Sequence, residues 1–89
     1  MIVEFDKSFQ KSLDKIRDKS LFPRIERSII NLEKAKSLAE ISNLKKLAGF
    51  KEYYRVRIGD YRLGFEKLSN TTIRLIIIAN RKDIYKLFP

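Results

Sequence analysis

The sequence contains neither cysteine nor histidine. Without cysteine there are no disulfides and no thiol nucleophile, and nothing points to an oxidising compartment. The two absences together exclude zinc sites built from Cys and His and every catalytic triad that relies on a histidine base. No metal and no cofactor is expected. Glycine and proline are scarce, at 3 and 2 residues, which leaves little material for a linker, and no repeat or low-complexity tract is evident. Long apolar runs are also missing. The longest aliphatic stretch, Leu75 to Ala79, is far too short to span a bilayer, and Glu4 and Asp6 interrupt the N-terminus where a signal peptide would be apolar. These features predict a soluble, cytoplasmic protein with no membrane partner.

The 89 residues suit one domain spanning 1–89, with a two-layer fold as the natural limit. A hydrophobic fraction of 44% is normal for a globular chain and argues against disorder. Against that ordinary core stands a formal net charge of +9, large for this length, which predicts attraction to nucleic acid or to an acidic protein. The charge is unevenly placed. Met1 to Leu44 holds 9 Lys/Arg against 7 Asp/Glu, whereas Lys45 to Pro89 holds 11 against 4, so the second half is expected to carry the function.

Ile2 to Phe5 read as a short strand. Asp6 follows as an N-cap for a helix whose Phe9, Leu13 and Ile16 recur at helical spacing. A second stripe, Phe22, Ile25, Ile29 and Leu32, has Pro23 within its first turn and completes a helical hairpin. Between Ser37 and Phe50 the spacing of Leu38, Ile41, Leu44 and Leu47 predicts a short helical turn and then a loop around Gly49.

From Tyr53 the period changes to two. Tyr53 to Ile58 and Tyr61 to Glu66 alternate apolar with polar, and Gly59-Asp60 supplies a two-residue turn. Thr72 to Ala79, β-branched and apolar at consecutive positions, reads as a central strand covered on both faces. Arg81 to Lys86 can make one helical turn. The fold class is therefore α+β: strand, two-helix hairpin, then a largely antiparallel sheet with a short C-terminal helical turn.

The hairpin register places Arg57 opposite Arg62 and Arg55 opposite Gly64 on one face. The other face takes Tyr54, Val56, Ile58, Tyr61, Leu63 and Phe65. Opposed like charges destabilise a sheet by about 0.2–1 kcal/mol per pair. A bound phosphate reverses that sign, because guanidinium forks fit phosphate oxygens in bidentate fashion. The bland alternative is a merely solvated face. Gly64 beside the arginines opens space, which weighs toward a site. Tyr53 and Tyr85 are candidates to stack on bases or simply to pack at the sheet edge. Glu66, opposite Tyr53, is a candidate general base or a charge partner for Arg55, the partner role being favoured.

The string Tyr54-Arg55-Val56-Arg57-Ile58-Gly59-Asp60-Tyr61-Arg62-Leu63, followed by Asn80-Arg81-Lys82-Asp83-Ile84-Tyr85, resembles the RelE/ParE toxin superfamily, and the element order matches over essentially the whole chain. That resemblance implies the toxin of a type II toxin–antitoxin pair, with RelE-like members cleaving messenger RNA in the ribosomal A site. Carried over by motif, Arg62, Arg81 and Tyr85 are the catalytic candidates, and Arg55, Arg57, Asn80 and Lys82 the RNA-binding ones. The implied partners are an acidic antitoxin, laid over the arginine face or the neighbouring helices, and messenger RNA with the ribosome. The chain departs from the pattern twice: arginines stand where RelE-like enzymes often have lysines, and Asn80 fills a slot that is histidine in many relatives. Arginine is too basic to act readily as a general base, so the departures weaken acid–base chemistry and leave phosphate binding intact. The alternatives are a ParE-like inhibitor of DNA gyrase and a basic RNA-binding module without catalysis.

Overall fold

The computed structural model describes residues 1–49 and 52–89. Its elements are β1 (Ile2–Phe5), α1 (Lys7–Asp14), α2 (Leu21–Lys34), a 3-10 turn (Leu38–Glu40), β2 (Leu44–Lys46), β3 (Tyr53–Ile58), β4 (Tyr61–Lys67), β5 (Thr72–Asn80) and α3 (Ile84–Leu87). The strands form one sheet in the order β1-β5-β4-β3-β2, with β1 parallel to β5 and every other pair antiparallel.

Both long helices cover one face of the sheet. Asp6 caps α1 as its side chain accepts the Ser8 amide at 3.0 Å, and the Ser8 hydroxyl and amide together hold the Asp6 carboxyl below its usual value. In α2, Pro23 falls in the first turn, where a missing N–H goes unnoticed. Phe9 of α1 and Leu21, Ile25 and Leu32 of α2 are buried against Val56, Ile58, Leu63 and Phe65 of the hairpin and Ile73, Leu75 and Ile78 of β5. Tyr54 and Tyr61 pack at the margin of this core, as the alternation predicts. The hairpin pairs Ile58 with Tyr61, Arg57 with Arg62 and Arg55 with Gly64, and Gly59 takes φ 59°, the left-handed value that a primed two-residue turn requires.

Two features depart from the expected pattern. The segment from Ser37 does begin with a helical turn and is irregular at Gly49, but Leu44–Lys46 between them forms edge strand β2 against β3, which the leucine spacing did not predict. Asn43, at φ 60°, breaks the chain between the turn and the strand. Phe50, the last residue of that segment, lies outside the described residues.

The apolar run of β5 also hides a bulge: Gly64 faces Ile77 and Phe65 faces Leu75, which leaves Ile76 as an extra residue. Pairing with β1 stops at Leu75. Beyond it two serines of α1 serve the edge of β5, the Ser8 hydroxyl sharing its one proton between Asp6 and the Ile76 carbonyl at 2.6 Å, and Ser12 accepting the Ile78 amide at 3.0 Å.

Candidate nucleic-acid interface

The face of the sheet turned away from α1 and α2 carries Arg55 and Arg57 on β3 and Arg62 on β4, as strand alternation requires. β2 adds Lys45, which pairs with Arg55. These four cations, with Asn43 and Tyr85, line a cleft of ≈ 300 Å³. Among the described residues no carboxylate lines it. Among the described residues the ion pairs are Lys46–Glu52 and Arg74–Glu4, each 3.2 Å, so none of the cleft cations is neutralised by an acid.

Each cation is held differently. Arg62 donates through Nη1 to the carbonyls of Gly59 and Tyr61, both at 2.9 Å, which fixes it against its own turn. Arg55 is buried under the ring of Tyr85, its guanidinium carbon 4.7 Å from the ring centroid, and Nη2 makes a long 3.4 Å hydrogen bond to the phenol oxygen. Contact with an aromatic face offsets some of the cost of holding a cation among like charges, typically about 0.5–2 kcal/mol. Arg57 is exposed.

The C-terminal turn positions Tyr85. The Asn80 side chain accepts the amides of Lys82 and Asp83 at 2.9 and 3.0 Å, so its carbonyl oxygen nucleates the turn that starts α3. The Arg81 amide bonds the Asp60 carbonyl at 2.8 Å and ties this turn to the hairpin turn. Ile84 and Phe88 then anchor α3 on the sheet, both buried. Phe88 lies over Gly64, where a Cβ would come within 2.8 Å of its ring, and meets Tyr53 edge-on at 5.3 Å. The space opened by Gly64 is thus filled by the chain's own phenylalanine.

Of the residues named from sequence, the structure brings Arg55, Arg57, Arg62 and Tyr85 to one cleft. Asn80, Arg81 and Lys82 lie in the turn beside it and do not line it. Glu66 pairs across the sheet with Tyr53 and Arg74, on the far side of Phe88 from Arg62, and forms no ion pair with Arg55. Tyr53 packs on Phe88, while Tyr85 is 71% exposed and open to a ligand. Lys45 and Asn43 escape sequence reasoning because the leucine spacing around them imitates a helix. Asn43, a residue type that tolerates the left-handed region, is the available sign that one element ends and another begins there.

A sequence profile described as the ParE toxin of type II toxin–antitoxin systems, parDE, matches residues 3–85. The chain belongs to this toxin family. The toxin is 36% identical, over the whole of both chains, to toxin RelE3 of Methanocaldococcus jannaschii. It is also similar to solved structures of two antitoxin–toxin complexes. One is RelB–RelE of Methanococcus jannaschii, at 34% identity and a TM-score of 0.78 over 97% of this toxin and 99% of that chain. The other is the archaeal RelE–RelB complex of Pyrococcus horikoshii, at 25% identity and 0.70 over 90% and 93%.

Proposed function

We propose that the toxin is a metal-independent endoribonuclease that cleaves messenger RNA at the ribosome through attack of a ribose 2′-hydroxyl on its neighbouring phosphate, the bond to the next nucleotide's 5′ oxygen breaking as the new one forms and the hydroxyl proton passing through solvent to that oxygen. The observation that carries this reading is the cleft itself: four cations with no lining carboxylate, beside an exposed aromatic ring. A phosphodiester is the ligand that turns such a cluster from repulsive to attractive. Arg57 and Arg62 contact the non-bridging oxygens, and Arg62, already fixed by its turn, meets the extra negative charge of the five-coordinate transition state without reorganising. Tyr85 stacks on a base next to the scissile bond while holding Arg55 beneath it. Lys45 adds an ammonium, a compact point charge beside the guanidinium forks. Arg81 and Lys82, at the margin, steer the strand.

As in the related complexes, an antitoxin is the partner that holds the toxin inactive, and the net charge of +9 favours an acidic one. The test is to express the toxin in a translating extract and map messenger RNA ends. New ends that carry a 2′,3′-cyclic or 3′-phosphate support the proposal. Arrest of DNA supercoiling with intact messages would instead place the toxin among gyrase inhibitors. Binding of RNA with neither effect would leave only a basic binding module.

A further inference from the structure

A second groove, of ≈ 390 Å³, lies between α2, the segment 40–43 and the end of β3. Arg24, Arg27, Asn31 and Lys34 follow one another down α2 at helical spacing and form one wall about 15 Å long. Arg57 also lines it, and among the described residues Glu40 is the single acid that does so. None of the four cations belongs to either ion pair among the described residues. Arg24 is carried to the mouth by lying across the hairpin turn, where Gly59 offers no side chain: a Cβ there would come within 2.7 Å of its guanidinium. Arg57 and Asn43 line both this groove and the cationic cleft.

The lining favours a peptide over a nucleic acid. Sites for single-stranded nucleic acid combine cations with aromatic stacking platforms, and among the described residues no aromatic lines this groove, whereas Tyr85 lines the cleft. Instead, aliphatic Ile41, Val56 and Ile58 form part of its lining. We propose that this groove seats an acidic peptide segment, and that the segment silences the toxin by drawing Arg57 out of the cleft rather than by covering it. This rests on the ribonuclease reading for what is silenced, but not for the seat itself. Carboxylates spaced along the segment meet Arg24, Arg27 and Lys34, and one more takes Arg57, which is exposed and lines both the groove and the cleft.

Binding of labelled poly-L-glutamate and of labelled oligo-uridylate to the full chain, each followed by fluorescence anisotropy, tests this. At about 0.15 M salt the screening length is about 8 Å, so distant charges contribute little. The double variant Arg24→Gln/Arg27→Gln is expected to weaken the peptide about tenfold or more and to leave the RNA within about twofold. Saturating peptide is expected to weaken RNA binding in the unaltered toxin but not in Arg57→Ala, which has already lost the shared cation. Lys34→Gln, at the far end of the wall, is the second variant should the first melt early. Peptide affinity indifferent to these α2 changes overturns the proposal. Equal loss of peptide and RNA also overturns it, and makes the groove a nucleic-acid track. Failure of the unaltered toxin to cut RNA would sink the ribonuclease reading while leaving the peptide result to judge the groove.

Discussion

Arg62 is the cleft cation with the least freedom, since two carbonyls of its own turn hold one of its nitrogens. A donor fixed before the reaction contributes most where charge develops, so Arg62→Ala is expected to raise the cleavage barrier by about 2–4 kcal/mol, with a much smaller effect on ribosome association. Single-turnover cleavage on translating ribosomes, beside a binding assay, separates the two, and Arg62→Lys should recover only part of the rate because it keeps charge and loses the fork. Lys45 gives the sharper contrast. If its compact ammonium hydrogen-bonds the reacting oxygens, Lys45→Arg will preserve RNA affinity and lose the rate; a fast Lys45→Arg variant would reduce Lys45 to a phosphate contact. The arginines were legible in the sequence because a period of two sorts Arg55, Arg57 and Arg62 onto one face without exception. Lys45 was not, because three-residue strand β2 is too short to show any period of its own.

At the scale of the element, helices α1 and α2 and the β3–β4 hairpin could be read from spacing and turn chemistry, down to the Asp6 cap and the Arg57–Arg62 register. The bulge at Ile76 could not, since a run of Leu75, Ile76, Ile77 and Ile78 conceals which residue is extra. Nor could the duty of Asn80. Family resemblance directs attention to the missing imidazole, whereas the side-chain oxygen here closes the turn that delivers Tyr85. Asn80→His and Asn80→Ala are both expected to cost about 0.5–2 kcal/mol, in the range of a lost cap, and to speed amide exchange in α3 ahead of the sheet. Asn80→Asp, which keeps the acceptor, should restore protection.

The start of α1 offers a test by pH. Hydrogen bonds from Ser8 lower the Asp6 pKa from 3.8 in the folded chain, so the associated stability is present above that value and lost as pH falls through the lower folded value. The gap in melting temperature between the unaltered toxin and Ser8→Ala should therefore narrow on acidification below about pH 3.8. A constant gap would mean the capping carboxylate contributes nothing.

Across the whole molecule, the sheet separates two kinds of surface: one face is sealed by α1 and α2, and the other is shared between the cationic cleft and the small apolar anchor of α3. That anchor couples stability to the interface. Phe88→Ala removes a 5%-exposed ring over Gly64 and is expected to cost about 3–5 kcal/mol. Because α3 also carries Tyr85 over Arg55, RNA affinity should fall with the melting temperature. Tyr85→Ala should lower affinity and leave melting nearly unchanged, given that the ring is 71% exposed. Loss of affinity in Tyr85→Ala alone would show that α3 needs no anchor to hold its tyrosine in place.

The two serines of α1 that reach β5 have a consequence beyond satisfying hydrogen bonds. Greasy contacts between a helix and a sheet tolerate sliding, because one aliphatic surface resembles the next. Ser8 and Ser12 act instead like the teeth of a key, meeting the Ile76 carbonyl and the Ile78 amide, and a shift of α1 by a single residue would disengage both. The same teeth occupy the stretch of β5 that β1 leaves bare. A stray chain seeking to extend the sheet would find two of the backbone groups there already engaged, which blunts that edge as the shortness of outer strands β1 and β2 blunts theirs.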